Sequence, residues 1–143
     1  MNKSIEVVVV SPDVAATKAC PVIYLLHGYG GNARTWVGIK PDLPKIADEK
    51  GIFFVCPDGK NTWYWDSPLN ADVRYETFIS NELVKYVDSH YKTVADRKGR
   101  AITGLSMGGH GAMWNGLVIA MFSPLREVLA VAWISALSRK TGR

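Results

Sequence analysis

A short strand-forming run, Arg100 to Thr103, enters the pentapeptide Gly104-Leu105-Ser106-Met107-Gly108 and leaves through Gly109 to Asn115, a stretch that can be helical. A sharp strand-to-helix turn of this kind strains the backbone of its central residue and lifts that side chain above the sheet. Gly104 and Gly108 lack Cβ atoms, so the strand and helix on either side can crowd the turn. The start of the helix adds positive potential at the same point. Ser106 is therefore the candidate nucleophile, expected at positive φ with its side chain out of the sheet's C-terminal edge. The plain alternative is a glycine-rich turn whose serine is incidental.

The rest of the chain supplies the scaffold that such a turn needs. Ile5 to Val10 is a β-branched run that stops at Ser11-Pro12-Asp13, and Pro21 to Leu26 is an apolar run that breaks at His27-Gly28-Tyr29-Gly30-Gly31-Asn32. Leu43 to Lys50 reads as a short helix closed by Gly51, and Ile52 to Cys56 as a buried strand stopped by Pro57-Asp58-Gly59. Tyr75 to Tyr91 sets Ile79, Leu83, Tyr86 or Val87, and His90 at three- and four-residue spacing, the pattern of an amphipathic helix. Strands alternating with helices predict an α/β fold, with a mostly parallel sheet covered on both faces.

A serine that accepts an acyl group also needs two backbone N–H donors aimed at the developing oxyanion. Met107, the residue after the candidate nucleophile, supplies one. Chain order puts the loop after His27-Gly28 in position for the other, and its Gly30-Gly31 pair lets backbone approach a ligand; a plain tight turn is the other reading. Trp63-Tyr64-Trp65-Asp66 either lines an acyl or aromatic pocket, with Trp65 the candidate contact, or caps the core. His27 reads as turn scaffold, His110 as packing one helical turn past Ser106, and His90 as structural. Cys20 and Cys56 read as small core residues; no metal-ligand spacing is present, and no cofactor or metal is expected.

Several motifs together resemble one family. Leu25-Leu26-His27-Gly28-Tyr29-Gly30-Gly31-Asn32 with Trp36, Pro57-Asp58-Gly59, Tyr75-Glu76-Thr77-Phe78 with Glu82-Leu83, and Gly104-Leu105-Ser106-Met107-Gly108-Gly109 are similar, in that order, to the esterase D family of α/β-hydrolases. That family includes S-formylglutathione hydrolases, tributyrin-type esterases, acetyl-xylan and feruloyl esterases, and mycolyltransferases. The resemblance covers residues 4–116 and implies the front portion of an α/β-hydrolase. It further implies Ser106 as nucleophile and the N–H groups of Tyr29 and Met107 as the oxyanion hole. The implied activity is hydrolysis of short acyl or sugar and phenolic esters through an acyl-serine. Acyl transfer of the mycolyltransferase type is the alternative, and a non-catalytic fragment the reading from a different class.

In the family the triad acid and histidine lie well beyond the elbow, whereas neither Asp nor His occurs here after His110. A crippled or inactive product is therefore expected from this chain. Residues 1–116 read as the family portion and 117–143 as an out-of-frame tail. Shifted by one base, Met121-Phe122 must encode Val and Trp133-Ile134 must encode Asp. The other junctions permit a string resembling the family's next strand, with its Ser-x-Ser-Gly-Gly ending. The alternative is a native closing helix, Leu125 to Leu137 capped by Ser123-Pro124.

Charge bounds the partners. The formal net charge is +4, and Arg126, Arg139, Lys140 and Arg143 against Glu127 carry most of it past residue 116. No basic stripe remains to follow a phosphate backbone, so nucleic acid is not an expected partner. The longest late apolar run, Val128 to Leu137, is about half a bilayer span, and no membrane partner is expected. Met1-Asn2-Lys3-Ser4 leads into a strand without a signal-peptide core. As it stands the chain reads as cytoplasmic, or as secreted or periplasmic if a signal has been removed. The expected partner is a small-molecule ester, with a second copy of the chain able to pair along an exposed sheet edge.

Overall fold

A computed structural model of the protein describes residues 1–118. Strand β1 (Val7–Val10) is followed by a 3₁₀ turn (Asp13–Ala16), β2 (Val22–Leu26), α1 (Thr35–Ile39), α2 (Leu43–Lys50) and β3 (Phe53–Pro57). A composite helix comes next, made of α3 (Tyr75–Thr77), a π-helical segment (Phe78–Leu83) and α4 (Val84–His90). A 3₁₀ turn (Arg97–Gly99), β4 (Arg100–Gly104) and α5 (Met107–Val118) complete it.

The four strands form one sheet in the order β1-β3-β2-β4. β2 pairs in parallel with both β3 and β4, and β1 lies antiparallel on β3. Central parallel strands are covered on both faces, which is why β2 and β3 read as unbroken apolar runs. Val22, Tyr24, Leu26, Phe53, Val55 and Ile102 pack on one face with Ile79, Leu83 and Val87 of the composite helix. Leu25, Phe54 and Cys56 pack on the other with Leu43 and Ala47 of α2. Each large apolar side chain so buried contributes about 1.5–3 kcal/mol. The two thiols belong to opposite faces and both are free. Burial pushes the Cys56 thiol up to about 12, so it should resist alkylation at neutral pH until the chain unfolds.

The register positions the site. Leu26 lies opposite Gly104 across the β2–β4 pair, so the chain leaves both strands side by side at the same sheet edge. Clefts at the C-terminal ends of parallel strands are where such folds bind ligands.

The structure also departs from expectation in places. α1 has no sequence counterpart above, and α5 opens at Met107, two residues earlier than expected. The apolar face of the long helix runs through Val87; Tyr86 is 54% exposed and His90 is exposed, stacked on the Tyr86 ring at 3.9 Å. A π-helical turn widens the repeat and rotates the residues after it away from simple 3.6 spacing. Among the described residues β1 and β4 each have a strand neighbour on one side only. Residues 119–143 lie outside the described residues, and with them the expectations of an out-of-frame tail or a closing helix; Leu117 and Val118 end α5.

Candidate active site

Ser106 sits between β4 and α5 with φ +52°, the left-handed region that non-glycine residues seldom enter. The expected positive φ is therefore present. Ser106 is exposed while Met107 beside it is buried, so the two side chains point to opposite sides of the turn. Leu105 N–H donates to the Leu26 carbonyl at 3.1 Å, and His110 N–H donates to the Ser106 carbonyl at 3.0 Å, opening α5. The glycines earn their place by contact. A Cβ on Gly104 would lie 2.4 Å from the Gly108 carbonyl carbon, and one on Gly108 would lie 2.2 Å from the Leu26 carbonyl oxygen. Elbow, helix and the end of β2 interlock with backbone against backbone.

The loop after β2 rests on this elbow. A Cβ on Gly28 would stand 3.2 Å from the Leu105 carbonyl oxygen and 3.7 Å from Ser106 Cβ. Gly31 N–H donates to the Gly28 carbonyl at 3.0 Å, and Gly30 has φ +79°, as at the third position of a type II turn. Tyr29 occupies the second position with its ring 67% exposed, and its N–H meets no acceptor among the described residues. Met107 begins α5, where the first-turn N–H groups have no intrahelical acceptor.

A second loop, Asp58 to Tyr64, clasps the first from behind. His27 is fully buried; its Nδ1 donates to the Gly28 carbonyl at 2.7 Å and its Nε2 accepts Gly59 N–H at 2.9 Å. These two bonds assign the neutral Nδ1-protonated tautomer and use both nitrogens, which suits a scaffold role rather than a base. Asp58 Oδ1 lies 3.4 Å from Nε2, but the Gly59 N–H occupies that lone pair. Tyr64 O–H donates to the His27 carbonyl at 3.0 Å, and burial keeps the phenol protonated far above its ordinary range. Lys60, Trp63 and Tyr64 all have positive φ (49°, 58° and 61°), strain that persists only where surrounding contacts hold it. Tyr64→Phe should remove one buried bond and leave the His27 carbonyl short of a donor, lowering unfolding free energy by about 1–2 kcal/mol in a denaturant titration.

Asp58 anchors the clasp electrically. Burial alone would raise its carboxyl, but hydrogen bonds and charge from Lys60 outweigh burial and hold it below the ordinary carboxylate range. Its Oδ1 accepts Lys60 N–H at 2.8 Å and its Oδ2 accepts from Lys60 Nζ at 2.6 Å. A depressed folded-state value stabilises the fold above the unfolded value, about 3.9. That contribution is lost as pH falls through the folded value. Amide exchange at Lys60 should stay protected down to that range and quicken only below it.

With this geometry in place, comparison with known proteins is decisive. The family model described as "Putative esterase" matches residues 1–137. The chain belongs to this esterase family. It is 31% identical over 119 residues to Esterase Rv1288 of Mycobacterium tuberculosis, covering 78% of this chain and 25% of that protein. It is 33% identical over 96 residues to an acetyl esterase of Caldicellulosiruptor saccharolyticus, covering 66% of this chain and 35% of the relative. The structure superposes on an S-formylglutathione hydrolase from Agrobacterium tumefaciens with a TM-score of 0.67 at 28% identity, covering 76% of this chain and 46% of that one. The chain thus spans a quarter to about half the length of these relatives. The esterase-family chain has the α/β-hydrolase fold expected from its motifs.

Beside the elbow, this esterase-family chain carries a cluster of rings. His110, one turn into α5, meets Trp65 edge-on at 5.0 Å and Trp63 at 5.5 Å; Trp65 meets Trp114 at 6.1 Å. Trp114 Nε1 donates to Glu76 at 2.8 Å, which fixes that ring's orientation. Trp63, Trp65 and Trp114 are each 38–47% exposed, whereas Tyr64 between the first two is fully buried. The aromatic loop therefore divides its labour, with Tyr64 capping the core and Trp65 on the surface. His110 packs among these rings, as expected. Asn61, Tyr64 and Asp58 carry the clasp, and only the Pro57-Asp58-Gly59 motif hinted at it. No helix among the described residues is long and apolar enough to cross a membrane.

Proposed function

We propose that the protein is a serine carboxylic-ester hydrolase in which Ser106 forms the acyl-enzyme. The observation that carries this reading is the positive φ of Ser106 in an elbow closed by Gly104 and Gly108, directly against Gly28. Ser106 Oγ attacks the ester carbonyl carbon and passes its proton to a base. The carbonyl electrons move onto oxygen, where the N–H groups of Tyr29 and Met107 hold the oxyanion. Collapse expels the alcohol, which takes up the proton, and water then releases the acid by the same route in reverse. In this proposal the base and its orienting group are not supplied by the described residues, and neither Asp nor His occurs among residues 119–143. Both nitrogens of His27 are engaged, and no ring nitrogen bonds to Ser106 among the described residues.

Trp65 is the proposed contact for the substrate. With Trp63 and Trp114 it offers flat, half-exposed rings clustered with His110, which lies one helical turn past Ser106, and these suit the ring of a phenolic or sugar ester. Trp65→Ala should raise KM for an aryl ester roughly three- to tenfold and leave a short aliphatic ester nearly unchanged, since one ring contact is worth about 0.5–1.5 kcal/mol. Steady-state kinetics on the two ester types checks this. Equal effects on both would remove Trp65 from the pocket. The broader reading is tested by p-nitrophenyl acetate hydrolysis with the full gene product. A burst of phenolate followed by slower turnover, absent in Ser106→Ala, is the expected outcome.

A further inference from the structure

One hydrogen bond of the clasp has no structural need that is evident from burial. The exposed side chain of Asn61 accepts Gly30 N–H through Oδ1 at 2.7 Å. Gly30 is the residue after Tyr29, and the peptide it shares with Tyr29 lies between the two central residues of the turn that rests on Ser106. Exchange of types I and II turns this peptide over, reversing the Tyr29 carbonyl and the Gly30 N–H, and a bond to Gly30 N–H therefore holds the type II form. Gly30 at φ +79° has open space around it, so sterics alone do not hold the type II form.

The loop bearing Asn61 is itself over-determined. Gly59 N–H is tied to His27, Lys60 N–H to Asp58 Oδ1, and Thr62 Oγ1 to the Gly59 carbonyl at 2.6 Å. Lys60, immediately before Asn61, is held at φ 49°. Strain at an exposed residue, maintained by a buried carboxylate and a buried histidine, is consistent with a demand for one side-chain placement. The placement it achieves is Asn61 Oδ1 on Gly30 N–H.

We infer that Asn61 is a positioning residue: by tying Gly30 N–H to the Asp58–Tyr64 loop it holds the Gly28–Gly31 turn in place against Ser106, so that Tyr29 within that turn keeps its N–H aimed at the oxyanion. This rests on the acyl-serine reading above. A donor held within a fraction of an ångström of its target is what such catalysis requires, and small misplacements are costly. The Asn61 side chain bonds Gly30 N–H and makes no hydrogen bond to Ser106 among the described residues, so its effect reaches the reaction through the turn that carries Tyr29.

The experiment measures the second-order rate of Ser106 labelling by an alkyl fluorophosphonate, whose phosphoryl oxygen takes the oxyanion's place, in protein expressed from the full gene. Asn61→Ala should slow labelling about ten- to a hundredfold. Its thermal midpoint should stay within about 2 °C of wild type, because an exposed bond contributes little to folding. Asn61→Asp keeps an acceptor oxygen at the same reach and should recover labelling to within about threefold of wild type. Wild-type protein that does not label at Ser106 overturns the acyl-serine reading and the inference with it. Wild type that labels, beside an Asn61→Ala that labels equally fast, overturns the inference alone. Equal losses in both variants with a lowered thermal midpoint also overturn it, since that pattern marks a merely structural bond.

Discussion

Gly108→Ala should unseat the elbow and cost about 3 kcal/mol or more, a large share of the 5–15 kcal/mol that holds a domain folded. The added methyl would stand 2.2 Å from the Leu26 carbonyl oxygen and 2.7 Å from that of His27. Both atoms are backbone, held in or next to a strand that pairs on both sides, so neither can yield as a flexible side chain would. β2 must then part from α5, at the point where Leu105 N–H bonds to Leu26. Gly30→Ala provides the contrast. Space there is open, and only the positive φ opposes the substitution, for about 1–2 kcal/mol. Thermal denaturation of the two variants side by side checks the ranking. A Gly108→Ala protein as stable as Gly30→Ala would show that the interlock is looser than these contacts require.

Ser106→Ala carries the second large effect, and it should leave folding alone. Ser106 is exposed, and no side-chain partner of it is lost among the described residues. Alanine tolerates the left-handed backbone about as poorly as serine does, so the unfolding midpoint should move little. Ester turnover by the full gene product should instead fall about six orders of magnitude, the scale seen when a serine hydrolase loses its nucleophile. What remains reflects oxyanion stabilisation and binding, so Tyr29 and Met107 should still act in the variant. Kinetics on a p-nitrophenyl ester, with the unfolding curve beside it, separate the chemical loss from a folding loss. A Ser106→Ala protein that retains a tenth of the activity would mean that the acyl group is carried elsewhere.

What could be read from the sequence, and what could not, follows from the range of the interactions. β2 and β3 were legible because burial on both faces leaves continuous apolar runs, α2 because Gly51 closes it at φ +64°, and β4 because it runs straight into the glycine-flanked elbow. The elbow was legible for a similar reason, since two glycines and a serine at fixed spacing encode a backbone contact locally. α1 was not, because five residues including Gly38 are too few for a periodicity to register. The drift of His90 into solvent was hidden by the π-helical turn, which no residue type announces. The antiparallel pairing of β1 likewise depends on a partner, β3, that lies over forty residues away. Least legible was the clasp. Lys60, Trp63 and Tyr64 adopt left-handed backbone without the glycine or asparagine that usually marks it. Asn61 meets Gly30 across 31 positions of sequence, so no local spacing could have singled it out.

The central claim is a covalent acyl-serine, and the most direct measurement is to trap it. Protein expressed from the full gene is mixed with a short-chain acyl ester, quenched in acid during the burst, digested and mapped for the acylated peptide. The account predicts an ester-linked acyl group on the peptide holding Gly104-Leu105-Ser106-Met107-Gly108, at Ser106, and none in Ser106→Ala. Turnover that proceeds with no acyl group on that peptide, or with one on a different residue, would contradict it.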